Sequence, residues 1–132
     1  MKDKTYKIGE SSEDYLETIL LLEADGKVRS VDIARHMKVS KPSVNKAMHV
    51  LKEKGYIHQE TYGAVELTEE GREVALAVYE RHSTILSFFS DVLKVSPENA
   101  EKDACRVEHV ISDETFERMK ETLELYKQNH TK

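Results

Sequence analysis

The sequence predicts a mainly α chain, an N-terminal winged helix-turn-helix followed by an all-helical dimerisation domain. Three observations predict it. Residues 30–54 hold two short amphipathic helical patterns separated by a tight break at Val39-Ser40. Residues 56–68 then change from helical spacing to two short alternating runs around Thr61-Tyr62-Gly63, the pattern of a hairpin. Beyond Thr68 the spacing is helical again. A hairpin directly after a helix-turn-helix reads as a wing, and each feature makes the other more credible. The domains are expected at 1–70 and 71–132.

The 132 residues suffice for one compact unit or two very small ones. Charged residues make up 34% and the net charge is −5, so the molecule as a whole is no basic polyanion binder. Its charge is unevenly spread. Lys27, Arg29, Arg35, Lys38, Lys41, Lys46, Lys52 and Lys54 face only Asp32 and Glu53 within residues 27–58, a local charge of +6 against −11 for the remainder. A basic patch on an acidic protein marks a face for a polyanion. One cysteine offers no disulfide framework, which suits a reducing compartment. With no signal peptide and no apolar run of membrane-spanning length, the expectation is a soluble cytoplasmic protein with no membrane partner.

Met1 to Glu10 is polar and lysine-rich and reads as a loose arm. Ser11 with Asp14 resembles a capping box, and Tyr15, Leu16, Ile19, Leu20 and Leu22 continue with helical spacing until Gly26. Ser30 is placed to cap the next helix, with Val31, Ile33, Ala34 and Met37 on its apolar side. Ser40 is placed to cap the one after, with Pro42 in its first turn and Val44, Ala47, Met48 and Leu51 inward. In a helix-turn-helix the second helix meets the major groove by its N-terminal residues. Here these are Ser40, Lys41, Pro42, Ser43, Asn45 and Lys46, small, polar or cationic side chains suited to base edges and phosphates. Lys52 adds a further phosphate contact to Lys41 and Lys46. The bland alternative is a three-helix bundle with a solvated lysine face.

Thr68 caps a long helix from Glu69 to about Leu93, with Gly71 in its first turn. About 25 residues span roughly 37 Å at 1.5 Å per residue, longer than a small domain needs, so this helix is expected to run on into a second unit. Ser96-Pro97-Glu98 starts the next helix and Ser112 the last, which carries Phe116, Met119, Leu123 and Tyr126 on one face. Three helices enclose little core alone. Phe88, Phe89, Val110 and Ile111 are therefore candidates for a homodimer interface, packing within one chain being the alternative.

Cys105, Glu108 and His109 stand at i, i+3 and i+4. On a helix such residues share a face with Cβ atoms roughly 5–6 Å apart. A thiolate, a carboxylate and an imidazole suit borderline transition metals. The competing reading is a buried cysteine beside a surface Glu-His pair. Asp14 and Glu17, at i and i+3 on the first helix, read alone as first-turn acids complementing the helix dipole. His82, midway along the long helix, reads alone as a half-exposed histidine.

Five segments, taken together and in this order, resemble the diphtheria-toxin-repressor and manganese-transport-regulator family of metal-dependent bacterial repressors. They are Ser12-Glu13-Asp14-Tyr15-Leu16-Glu17-Thr18-Ile19, Val39-Ser40-Lys41-Pro42-Ser43-Val44, Leu67-Thr68-Glu69-Glu70-Gly71, Arg81-His82, and the run from Asp103 to Glu114. The resemblance covers residues 11 to about 128. It implies a dimeric winged-helix repressor of metal-homeostasis genes that binds double-stranded DNA at a palindromic operator. It implies metal ligands at Asp14, Glu17, His82, Cys105, Glu108 and His109, and DNA contacts from Ser40 to Lys46 with the wing near Tyr62. The length and the Asp14/Glu17 pair look like the manganese-type branch, which lacks the third, SH3-like domain of the diphtheria type. Cys105 is the iron-type feature, where the manganese branch has a glutamate. A thiolate favours softer ions than an all-oxygen set, so Fe²⁺ is expected before Mn²⁺, with Co²⁺, Ni²⁺ or Zn²⁺ as substitutes in vitro.

Two other functions compete. A metal-independent winged-helix regulator answering to an organic ligand or a partner protein would share the DNA-binding half. A mononuclear metallohydrolase could use Glu and His ligands with an open water position, but the chain has no nucleophile-base pair in a recognisable setting and no glycine loop for phosphate. The expectation is a protein that is not an enzyme.

Overall fold

The computed structural model describes residues 9–60 and 63–130. Six helices and one hairpin follow in the order α1 (Glu10–Leu22), α2 (Ser30–Met37), α3 (Lys41–Glu53), β1 (Ile57–Gln59), β2 (Val65–Leu67), α4 (Glu69–Ser87), α5 (Pro97–Val107) and α6 (Asp113–His130). The chain divides into two compact units, 1–78 and 79–132, so the division falls inside α4.

The first unit is a helix-turn-helix with a wing. α1, α2 and α3 pack their apolar sides together, and Leu16, Ile19, Ile33, Val44, Met48 and Leu51 are almost wholly buried. α1 starts one residue before Ser11: its N-cap is Gly9, which has no side chain to cap the helix. α2 also starts early. Arg29 is its N-cap residue, and its backbone N–H donates to the Asp32 carboxylate at 3.0 Å. Asp32 three residues on thus supplies the bond, and Ser30 becomes the first helical residue instead of the cap. α2 closes on Lys38 in the left-handed conformation (φ 59°), which makes the tight turn. Ser40 does cap α3, its Oγ accepting from the Ser43 N–H at 3.2 Å.

The wing strands pair antiparallel, Ile57 against Leu67 and Gln59 against Val65. Val28, between α1 and α2, adds a bridge to Val65 on the far side of β2. Alternation buries Ile57, Val65 and Leu67 and exposes His58 and Glu66. Thr61 and Tyr62 lie outside the described residues, as does the arm up to Ile8. Thr68 ties wing to helix: its Oγ1 donates to the Gly55 carbonyl at 2.7 Å and accepts from the Gly71 N–H at 3.0 Å. Gly71 is more than a tolerated glycine. A Cβ there would collide with the Tyr56 carbonyl oxygen, because the start of α4 lies against the backbone that begins the wing.

The second unit holds the rest of α4, a π-helical turn (Phe88–Val92), α5 and α6. Its core is small, built on Ile85, Ala104 and Phe116 with Leu86, Phe89, Val107, Ile111 and Met119 around them. Of the four residues expected at a subunit interface, Phe89 and Ile111 pack on this core, Phe88 is half-buried and Val110 is 74% exposed. Leu93 and Leu125 are further exposed apolar side chains of this unit. Ser112 caps α6 as expected, its Oγ accepting from the Thr115 N–H at 3.1 Å. Among the described residues no helix is long and apolar enough to cross a membrane.

Gly71→Ala should lower the stability of the first unit by about 2–3 kcal/mol, the upper part of the range for overpacking a rigid site. Urea unfolding followed by circular dichroism measures it, and a loss below that of an ordinary helix substitution would show that the Tyr56 backbone can yield.

Candidate metal centre and nucleic-acid interface

In the first unit, Lys41, Pro42, Ser43, Asn45 and Lys46 all stand exposed on the N-terminal half of α3, while Val44, Met48 and Leu51 face inward. Ser40 and Ser43 engage each other, Oγ to Oγ at 2.9 Å, and so finish the helix start. The N–H groups of that first turn and the neighbouring lysines favour an anion. Between α3 and the wing lies a cleft of about 570 Å³, lined by Arg29, Lys41, Asn45, His49, Lys52 and Gln59 among others. Lys52 also has a second partner: its Nζ donates to the Gln59 carbonyl at 2.9 Å and fastens the wing to α3. The Gln59 amide reaches the Ser30 Oγ at 3.3 Å and the Gly63 carbonyl at 3.2 Å, so the cleft has fixed walls. Arg29 and His49 were not among the residues expected here. His49 follows Asn45 by four residues, and that spacing is the signal that could have found it. Tyr62 is outside the described residues.

Asp14 and Glu17 stand three apart on α1 of the same unit, both half-buried. The other four expected ligands belong to the second unit, and it gathers them around His82. This imidazole is only 14% exposed and lies between two carboxylates, Nδ1 2.7 Å from Glu108 Oε1 and Nε2 3.2 Å from Glu101 Oε2. Cys105 Sγ is 3.7 Å from the same Glu101 oxygen, one turn along α5. On the opposite side of the ring, Glu108 Oε2 lies 3.2 Å from His109 Nε2. α5 ends at Val107, so Glu108 is its C-cap residue and His109 lies in the turn that follows. Glu108 keeps helical dihedrals (φ −58°, ψ −25°), which is why the i+3 spacing still aims it inward.

Sequence reasoning missed Glu101. Its signal was the i, i+4 spacing to Cys105, but an acid on the exposed face of a charged helix looks like solvent decoration until His82 is seen opposite it. One ligating atom from each of His82, Glu101 and Cys105 lies within 4.8 Å of the others. That is about twice a metal–ligand distance of 2.0–2.3 Å, so the three fit a single divalent ion after small side-chain adjustments. Nitrogen, oxygen and sulfur donors together suit a borderline transition metal.

Glu108 is 2% exposed. Burial pushes its carboxyl upward, but hydrogen bonds from His109 and His82 and the charge on those rings outweigh burial and hold it below the usual carboxylate value. A carboxylate depressed by folding stabilises the fold above its unfolded value of about 4.3 and loses that contribution as the pH falls through the lower folded value. Metal-free protein should therefore lose stability on acidification below about pH 4.3, and Glu108→Gln should flatten that limb of the profile. Denaturant unfolding across the carboxylate range reads both, and identical slopes would refute the pairing.

Models of two domains match the chain, the iron dependent repressor N-terminal DNA binding domain over residues 7–65 and the iron dependent repressor metal binding and dimerisation domain over residues 68–131. An HTH-type transcriptional regulator of Methanocaldococcus jannaschii is 33% identical over 122 residues, covering 91% of this chain and 98% of that protein. The transcriptional regulator MntR of Salmonella typhimurium is 40% identical over 107 residues, covering 80% of this chain and 67% of that protein. The solved structure of the manganese regulator SloR superposes with a TM-score of 0.76 at 30% identity, covering 86% of this chain and 53% of that one. The chain thus spans about half the length of the SloR chain and of the curated diphtheria toxin repressors it matches. The chain belongs to the iron dependent repressor family.

Proposed function

We propose that the protein is a metal-dependent transcriptional repressor of metal-homeostasis genes that binds a palindromic operator as a homodimer, with Fe²⁺ preferred to Mn²⁺. The observation that carries this reading is the convergence of His82, Glu101 and Cys105 next to the buried Glu108 in one unit, in a chain whose other unit presents Lys41, Asn45 and Lys46 on an exposed helix N-terminus. Family membership supports metal dependence, DNA binding and dimerisation.

The proposed ligands are Asp14 and Glu17 from the first unit and His82, Cys105, Glu108 and His109 from the second, joined by Glu101. A bound divalent cation supplies the positive charge that lets this many carboxylates converge. Without it, Glu101 relies on the His82 imidazole and Glu108 on His82 and His109, and Asp14 and Glu17 repel any further acid brought near them. Ligands drawn from both units couple the two, and that coupling restricts the recognition helices of a dimer to a spacing near one DNA turn, about 34 Å. The ion acts by shifting the population toward the operator-competent state. Lys41 and Lys46 neutralise phosphates, Asn45 reads a base edge, and affinity falls with salt accordingly.

The preference for Fe²⁺ rests on Cys105, whose sulfur softens an otherwise N/O donor set. The test is anaerobic fluorescence anisotropy on DNA from the gene's own upstream region, with chelator-stripped protein and Fe²⁺ or Mn²⁺ added separately. Tight binding only with metal, and at lower Fe²⁺ than Mn²⁺, is expected. Cys105→Ala should remove the Fe²⁺ advantage. Undiminished Mn²⁺ response in that variant, with Fe²⁺ no better in the wild type, would overturn the iron preference. Equal binding with and without metal would leave a regulator answering to an organic ligand or a partner protein.

Glu17→Ala should abolish metal-dependent operator binding and leave the dimer intact, as read by anisotropy and by sedimentation of the same sample. Loss of the dimer in this variant would count against the coupling mechanism.

A further inference from the structure

Arg81 stands beside His82 on α4, but its side chain goes elsewhere, because neighbours on a helix point about 100° apart. Its guanidinium is only 13% exposed and forks to three acceptors: Nε donates to the Glu108 carbonyl, Nη2 to the Ile111 carbonyl and Nη1 to the Asp113 carboxylate, each at 3.2 Å. Its plane sits over the Phe116 ring, Cζ 4.7 Å from the centroid. Glu108, Ile111 and Asp113 belong to the turn that ends α5 and starts α6, the turn that also carries His109, and Phe116 follows in the first turn of α6. We propose that Arg81 is a positioning residue of the metal centre, holding the 108–113 turn where the Glu108 and His109 side chains face His82. This rests on the metal-site reading of the preceding subsection.

His82 is rigidly placed by α4, whereas Glu108 and His109 lie where α5 has run out and only the turn positions them. Within the turn, the Glu108, Val110 and Ile111 N–H groups bond back to Ala104 and Val107, which closes the end of α5. Those bonds do not say how the turn lies against α4. The Arg81 fork does, and it grips the backbone of Glu108 itself. It also sets a cation against the carbonyls at a helix C-terminus and an acid at a helix N-terminus, both favourable. A lysine offers a single point charge and cannot match three acceptors in one plane.

Co²⁺ is the probe, because its thiolate charge-transfer band reports Cys105 and its visible bands report the number and arrangement of the ligands. Four variants are compared with the wild type: Arg81→Gln, Arg81→Lys, Glu108→Gln and Leu123→Ala. Leu123 is buried on α6, so its truncation destabilises the same unit without touching the fork. Arg81→Gln should weaken Co²⁺ by about 10- to 100-fold, the usual effect of losing an outer partner of a ligand. Its charge-transfer band should persist at saturation while its visible bands change. Arg81→Lys should fall between the two proteins, and it carries the test if Arg81→Gln does not fold. Leu123→Ala should lower the melting temperature with affinity and spectrum close to wild type. If Arg81→Gln and Arg81→Lys behave like Leu123→Ala while Glu108→Gln loses Co²⁺, Arg81 is structural and the proposal fails alone. If the wild type takes up no Co²⁺, the reading of the site fails and the proposal falls with it.

Discussion

The second unit depends on a carboxylate held out of water. Glu108 is almost completely buried in a unit whose apolar core is small, centred on Ile85, Ala104 and Phe116. Removing an ion of this size from water costs several kcal/mol even after relaxation, and well-packed hydrophobic residues in place of a buried pair are often neutral or better for stability. A unit this small gains little from such a group as a fold-holding device. The rings on either side, His82 and His109, explain how the charge is tolerated, and in the proposed metal site the exposed Glu101 and Cys105 on the other side of His82 give the reason it is kept. The arrangement sets two carboxylates, Glu101 and Glu108, against the His82 and His109 rings, a charge balance that a divalent cation would improve.

The first unit is governed by a different constraint, the close passage of two backbones. The start of α4 runs so near Tyr56 that only a residue without a Cβ fits at Gly71. Thr68 bonds across the same junction to Gly55 and Gly71. Lys52 and Gln59 make the matching connections on the exposed side, from α3 to the wing and from the wing to α2. The recognition helix and the wing therefore form one rigid surface, and the cleft between them is a property of the fold before any ligand arrives. Lys52 shows what this entails: a cation expected to meet phosphate has its ammonium on a wing carbonyl.

Much of this was legible in the sequence, for physical reasons that can be named. Helices, hairpin and turn were readable because periodicity and breakers act locally: Ser40, Thr68 and Ser112 cap as their chemistry suggests. The caps at Ser11 and Ser30 were not. Asp32 could reach the Arg29 N–H one residue earlier, and α1 begins at Glu10 with Gly9 as its N-cap; competition between neighbouring donors and acceptors leaves no trace in composition. Glu101, Gly71 and Arg81 were opaque in the same way. Each derives its role from a partner on another element, His82, Tyr56 and the 108–113 turn, and such a partner is not visible from the residue and its neighbours in sequence. The motif around Cys105 was legible as chemistry but not as geometry, since α5 stops before Glu108.

That early stop bears on metal choice. In the reading proposed here, Glu101 and Cys105 sit on a regular helix at a fixed spacing, whereas Glu108 and His109 sit past its end, on a turn that Arg81 holds against α4. Divalent ions compete in an order that ligand type alone does not reverse, so selectivity has to come from geometry as well as from donor softness. Cys105 supplies the softness. In the same reading, the half of the site held by Arg81 would supply the geometry, because the distance from Glu108 to His82 would decide whether a larger ion is accommodated or a smaller one gripped. A thiolate on α5 and a buried carboxylate just past its end would then divide the work of recognition between one short helix and the turn that follows it.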